Sequence, residues 1–268
     1  MSSLDRKTRG RTSQHRLRAL DVYLCHAERG LLERQEGEWA QAAFVDVGFG
    51  EHPWTTLESA EAFRALNPRL PVLGVELEPA RVEAAQPHAD ALTAFRQGGF
   101  SLPLLPGERV RLVRAMNLLR QYRPEEVGAI HRTLGEALLP GGLLVEGSTD
   151  TPGAVLVAHL LRRGPERIER EALLFHTDFS RGFAPLLFRD WLPRDLRRRV
   201  RPGEPIHAFF ATWMEAWQQA RAEGHTEPRD VFRHAALGFA SRYAGISTES
   251  WLLEHGYLRW SPPDGVIP

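Results

Sequence analysis

Hydrophobic positions in this chain first recur with a helical period and then break into short apolar runs. Leu17, Leu20, Leu24, Ala27 and Leu31 follow one another at three- and four-residue steps, which is one face of an amphipathic helix ahead of the first strand. Between about residues 42 and 147, the runs Ala43–Val47, Val72–Glu76, Thr93–Arg96, Arg109–Met116 and Leu143–Glu146 read as five strands. Helical segments separate them. Thr55 and Glu58 have capping-box spacing for a helix that Pro68 closes. Pro79 opens a second helix through Val82, and Pro124 a third through Val127, Ile130, Leu134 and Leu138. This alternation predicts a parallel α/β sheet with right-handed crossovers. After Asp150, Ala154–Leu161 reads as helix, Ala172–Phe175 as a sixth strand and Tyr257–Trp260 as a last one. Helices are expected through Ile206, Phe209, Phe210, Trp213 and Trp217, and from Arg229 to Tyr243. The aromatic spacing in the first of these reads as core, or as the wall of an acceptor pocket.

Composition narrows the class. Formal net charge is zero over 268 residues, so no global field favours nucleic acid or an anionic membrane. Lys7 is the only lysine. Cys25, the only cysteine, lies in an apolar-periodic stretch and reads as a buried thiol, with no intrachain disulfide or cysteine zinc site available. The charged N-terminus has no signal-like segment, and no apolar run reaches membrane-spanning length, so a cytoplasmic protein without a membrane partner is expected. The histidines offer no metal constellation: His225 and His234 are nine residues apart without a carboxylate at ligand spacing, and His26, His131 and His176 stand isolated.

The candidate chemistry sits at the end of the first strand. Val45-Asp46-Val47 runs into Gly48-Phe49-Gly50, a turn with no Cβ at two positions to block a ligand. The next strand ends in Glu76, a carboxylate suited to accept from both hydroxyls of a ribose. His52-Pro53 stands where a dinucleotide fingerprint has its third glycine, which disfavours pyrophosphate and favours an adenosine cofactor without phosphates.

With these residues in place, the chain from about residue 40 to 150 resembles the class I S-adenosylmethionine-dependent methyltransferases. Val45–Gly50 looks like their first motif, Gly74-Val75-Glu76-Leu77-Glu78-Pro79 like their second, and Leu139-Pro140-Gly141-Gly142-Leu143-Leu144 like the turn into their fifth strand. Asn117-Leu118-Leu119-Arg120-Gln121-Tyr122 follows strand four. The whole chain is similar to an uncharacterised bacterial subgroup with an N-terminal Arg-Gly arm and this same run. The resemblance implies a Rossmann-like, seven-stranded, mostly parallel sheet with helices on both faces. It divides the chain into a flexible basic arm (1–13), an S-adenosylmethionine-binding core (14–150), and a completion of the sheet with a helical substrate cover (151–268). It implies S-adenosyl-L-methionine as cofactor, with Asp46, Gly48, Phe49, Gly50, Glu76, Leu77, Gly99, Phe100 and Asn117 around it. Arg120, Gln121 and Tyr122 become substrate-pocket candidates, Arg120 for orienting an acidic group.

Two departures carry information. The family often reads the adenine amino group with an acid after strand three; here Arg96-Gln97-Gly98-Gly99-Phe100 stands there, leaving backbone near Gly99 and the Phe100 ring for that task. Asn117 is not followed by the Pro-Pro-aromatic signature of amino-group methylating enzymes. No catalytic residue is assigned, because in-line alignment alone supplies roughly 7–11 kcal/mol at best and a base is needed only for a protonated acceptor. The acceptor is a small molecule, slightly favoured, or RNA. Arg194, Arg197, Arg198, Arg199 and Arg201 with the arm form either a phosphate groove or a solvated basic face, and Arg9-Gly10-Arg11 a lid over the cofactor. The alternatives are a non-catalytic cofactor- or RNA-binding module on the same fold and, less favoured, an NAD(P)-dependent oxidoreductase. No oligomeric state follows from the sequence.

Overall fold

Proline and glycine punctuation divides the chain as the sequence pattern requires, apart from the region just after residue 150. The computed structural model describes residues 5, 6 and 10–262. Its elements are α1 (Arg18–Ala27), α2 (Arg29–Glu33), β1 (Ala42–Val47), α3 (Trp54–Arg64), β2 (Val72–Glu76), α4 (Pro79–Ala85), β3 (Thr93–Gln97), β4 (Arg109–Met116), α5 (Pro124–Glu136), β5 (Leu138–Thr149), β6 (Val155–Arg163), β7 (Ile168–Thr177), α6 (Arg194–Arg197), α7 (Pro205–Ala222), α8 (Pro228–Ala240), α9 (Ser250–Glu254) and β8 (Tyr257–Trp260). Pro79, Pro124, Pro205 and Pro228 each sit in the first turn of their helix, where the missing N–H costs nothing.

The strands form one mostly parallel sheet in the order β3-β2-β1-β4-β5-β6-β7-β8, with β1 to β5 parallel and β5 to β8 an antiparallel meander. Among the described residues the sheet has eight strands, not seven. The added strand is the 154–161 run, expected as helix and found as β6. Its residues Val155 to Leu161 are all buried, because the sheet is covered on both sides there, so no alternation survives to distinguish strand from helix. Gly153, at φ +82°, makes the tight return from β5 that places it. The expected capping box also differs. The helix begins at Trp54 after Pro53, and the hydroxyls of Thr55 and Thr56 donate instead to Asp46.

Alternation along the strands sorts side chains to two faces. Val45, Leu73 and Val113 stand side by side in register and pack with Val127, Ile130 and Leu134 of α5. Phe44, Val72 and Leu112 face the other way, onto Leu20 and Leu24 of α1 and Phe63 of α3. Asp46 and Arg114, paired across β1 and β4, point to this second face. On the α5 side, the meander is covered by α7 and α8, where Phe209, Trp213 and Phe239 are completely buried among aromatic rings. The aromatic row of α7 is therefore core. Each such side chain withdraws apolar area worth about 2–3 kcal/mol from water. Arg111 anchors the entry to β1: its fully buried guanidinium donates to the carbonyls of Leu31, Leu32, Arg34, Trp39 and Ala42, and burial pushes it down to about 10.

Candidate functional site

The sheet order reverses between β1 and β4, since β2 and β3 lie to one side of them and β5 to the other. Helices leave such a point in opposite directions, which opens a crevice at the C-terminal ends of the strands. A cavity of about 590 Å³ lies there, bordered by Asp46–Gly50 after β1 and Met116–Leu118 after β4.

Its floor is ionic. The Arg114 guanidinium, fully buried, donates to Asp46 and Asp21 at 2.9 Å each, to the Ser59 hydroxyl at 2.6 Å and to the Thr55 carbonyl at 3.0 Å. Thr56 donates to Asp46 at 2.7 Å. One cation thus faces two buried carboxylates from α1 and β1. Burial pushes the Asp21 carboxyl up to about 7 despite Arg114 and the Ser59 hydrogen bond. Asp46 borders the cavity, and its carboxylate is engaged with Arg114 and Thr56 of the scaffold.

The glycine turn rises from this floor. Gly48 (φ +74°) and Gly50 (φ +87°) both occupy the left-handed region. A Cβ on Gly48 would lie 2.4 Å from Leu118, and one on Gly50 2.5 Å from the Gly10 carbonyl. The Phe49 ring turns into the core against Phe95, with centroids 5.4 Å apart. Glu76 closes the turn: its carboxylate accepts from Gly50 N at 3.0 Å, Leu77 N at 2.8 Å and Glu78 N at 3.2 Å, with Arg81 at 3.6 Å. Asn117 ends β4 at φ +62°, a conformation that asparagine tolerates better than most residues. Its Oδ1 accepts from Thr149 N at 3.0 Å, which locks β4 to the end of β5 beside the cavity.

A second opening, between Glu76-Leu77, Gly99-Phe100 and Leu118-Tyr122, is bordered by Asp5 and Arg6. The Asp5 carboxylate accepts from Phe100 N at 3.1 Å, and a Cβ on Gly99 would collide with it. Arg6 N donates to the Tyr122 hydroxyl at 2.9 Å, and the Arg6 guanidinium lies over the Tyr122 ring and pairs with Glu126 at 2.6 Å. Gln121 donates to the Arg6 carbonyl at 3.3 Å, and the Gly10 carbonyl accepts from Glu51 N at 2.9 Å. Between these residues about 30 Å³ remains open. Tyr122 and Gln121, expected to face a substrate, both bond Arg6, and Gln121 also lines the large cavity. Lys7 and Arg9 lie outside the described residues.

Beyond the glycine turn the cavity is lined by Arg11, Arg16, Arg120 and Arg197. Arg197 comes from α6, the only part of the 194–201 basic run that borders the cavity. The rest of that run is largely engaged elsewhere: Arg199 and Arg201 pair with Glu204, and Arg194 donates to the Tyr122 carbonyl. Sequence reasoning missed Arg16, Asp5 and Arg6 as site residues, because nothing local in their surroundings separates them from other surface positions. One histidine expectation is corrected. Asp230 lies 2.5 Å from His225 and 3.1 Å from His234, so a carboxylate does join them. The turn before α8 folds His225 back over the helix, which linear spacing does not show. The two rings stack at 3.6 Å, and one ligand atom from each of the three residues lies within 4.8 Å of the others. His131 is likewise not isolated, but pairs with Glu146 at 3.3 Å in the interior.

No protein-family model matches this sequence, and no curated protein matches it. Solved structures do. The chain is similar to an S-adenosylmethionine-dependent methyltransferase from Mesorhizobium loti, at 21% identity over 48% of this chain and 56% of that one, with a TM-score of 0.33. It is similar to magnesium protoporphyrin IX methyltransferase from Synechocystis, solved with bound SAH, at 18% identity over 50% of this chain and 55% of that one, TM-score 0.36. It is also similar to CalS10, an amino pentose methyltransferase from Micromonospora echinaspora, at 22% identity over 63% of this chain and 73% of that one, TM-score 0.35. The chain thus spans little more than half the length of the first two. These three proteins of solved structure are S-adenosylmethionine-dependent methyltransferases.

Proposed function

We propose that this protein transfers a methyl group from S-adenosylmethionine to an acceptor. The observation that carries this reading is the meeting, at one reversal point of a parallel sheet, of a two-glycine turn with both glycines at positive φ, a buried strand-end carboxylate bonded to that turn, and Asn117. Glu76 is the residue for the ribose: three backbone N–H groups fix its carboxylate at the strand end, and of about four lone-pair sites about one is left to accept from a ribose hydroxyl. The absence of Cβ at Gly48 and Gly50 keeps the turn close to the ligand, and Asn117 borders the methionine portion. When bound, the cofactor supplies an electrophilic sulfonium methyl; the protein's task is to align an acceptor with it.

The missing acid after strand three finds its substitute in the arm. The Asp5 carboxylate accepts from Phe100 N at 3.1 Å, beside Gly99. We assign Asp5 to the adenine amino group. The segment beyond residue 150 contributes a cover through α6, which carries Arg197 to the cavity.

Titration calorimetry with S-adenosylmethionine, S-adenosylhomocysteine and NADH tests the reading. Binding to the wild type is expected, with about tenfold weakening in Asp5→Ala. Failure of the wild type to bind either adenosyl ligand would sink the proposal, and preferential binding of NADH would replace it with a nicotinamide site.

A further inference from the structure

The charge balance of the large cavity is lopsided. Four guanidinium groups line it, those of Arg11, Arg16, Arg120 and Arg197, against one lining carboxylate, Asp46, which is already neutralised by Arg114 at 2.9 Å. Two nearby acids restore part of the balance, Asp150 acting on Arg16 and Asp190 on Arg120. Asp150 pairs with Arg181 at 2.8 Å, and Asp190 reaches Arg197 only at 3.5 Å from a largely exposed position. The arginines also sense one another. Burial and then Arg120 hold Arg16 below its ordinary range, while burial and then Arg197 do the same to Arg120. Arg16 is fixed in place by donating to the carbonyls of Asp150, Thr149 and Arg11. Arg120 makes no hydrogen bond among the described residues; its guanidinium rests on the Trp191 ring, 4.8 Å from the centroid. A planar cation supported on an aromatic face, with its donors uncommitted, is arranged to take a planar or tetrahedral oxyanion in bidentate fashion.

S-adenosylmethionine deepens the imbalance. It carries a sulfonium, an ammonium and one carboxylate, a net charge of +1, so its own carboxylate cannot neutralise a fourfold cationic wall. We propose that the methyl acceptor is an anionic small molecule bearing a carboxylate or phosphate group, held by Arg120 and Arg197. This rests on the methyl-transfer reading above. A small molecule fits better than RNA for two reasons. The arginines line one cavity of about 590 Å³, within the range of small-ligand sites. The basic run that could have extended a phosphate track is instead tied down by Glu204 and the Tyr122 carbonyl.

The test uses the full chain in two steps, with S-adenosylhomocysteine binding measured first by calorimetry. At saturating S-adenosylhomocysteine, citrate, glycerol 3-phosphate, glycerol and a short RNA oligonucleotide are then titrated against wild type and Arg120→Gln/Arg197→Gln. Both substitutions lie at exposed positions and leave the core intact, which circular dichroism verifies. The expected result is millimolar or tighter binding of citrate, glycerol 3-phosphate or both, weakened at least tenfold in the double variant. Glycerol should not bind, and S-adenosylhomocysteine affinity should stay within twofold. Citrate alone would identify a carboxylate acceptor, and glycerol 3-phosphate alone a phosphate one. Equal binding of the anions to both proteins, or no binding to either while S-adenosylhomocysteine binds, would overturn the acceptor assignment and leave methyl transfer standing. RNA binding lost in the variant without any small-anion binding would overturn it in favour of a nucleic-acid surface. Arginine-dependent anion binding without any S-adenosylhomocysteine binding would uphold the anion site and remove the methyl-transfer reading.

Discussion

Asp21→Asn and Asp46→Asn should have unequal costs, although both carboxylates contact the same guanidinium at 2.9 Å. Arg114 is a single buried cation between two buried acids, and two negative charges there would exceed it by one. A proton resolves the excess, and it resides on Asp21, whose carboxyl is pushed up to about 7 by burial. At pH 6, Asn at 21 replaces a neutral acid with a neutral amide, so a loss of about 1 kcal/mol is expected from altered hydrogen bonding. Asn at 46 removes one of the two carboxylates that contact Arg114, in a site where burial holds the other acid up; breaking a buried pair in this way costs about 3–5 kcal/mol. The sign of the pH dependence follows from the raised acid. Stability contributed by protonated Asp21 is fully present below the ordinary carboxylate range and is lost as pH rises towards 7, at up to about 1.4 kcal/mol per unit. The advantage of wild type over Asp21→Asn should therefore shrink by about 2 kcal/mol between pH 5 and pH 7. Urea denaturation of the three proteins at pH 5, 6 and 7, followed by circular dichroism, measures all of this. Equal costs for the two variants at pH 6, or a gap between wild type and Asp21→Asn that is flat with pH, would refute the shared-proton argument.

Glu76→Gln turns an amide NH₂ or a weaker acceptor towards three backbone N–H groups; stability should fall by about 1–3 kcal/mol and S-adenosylhomocysteine affinity by at least tenfold, read by calorimetry on folded protein. Gly48→Ala places a methyl 2.4 Å from Leu118 at φ +74°, so a loss of roughly 1–3 kcal/mol is expected by denaturation, together with loss of cofactor binding. Cys25, pushed up to about 11 by burial and then by Asp21, should react with a disulfide reagent at pH 8 far more slowly than a free thiol and accelerate as pH approaches 11; rapid reaction in the native state would contradict its packing against Ala62.

The sequence by itself determined what depends on a few neighbouring residues. Strands β1 to β4 were legible because each is a short apolar run bounded by glycine or proline, and β8 was legible at its full length. Glu76 and the glycine turn were recognisable because their order along a β-α-β unit is local. The 154–161 run was misread because burial on both faces erases the periodicity that distinguishes a strand from a helix. Only the tertiary structure decided that Asp46 serves Arg114, since the partner lies 68 positions away and is selected by strand register. Likewise it alone brought Asp5 to Phe100, a separation of 95 positions, and gathered Arg16, Arg120 and Arg197 around one cavity. Charges and carboxylates are common on any surface; their chemistry is set by what the folded chain places within a few ångströms and shields from water.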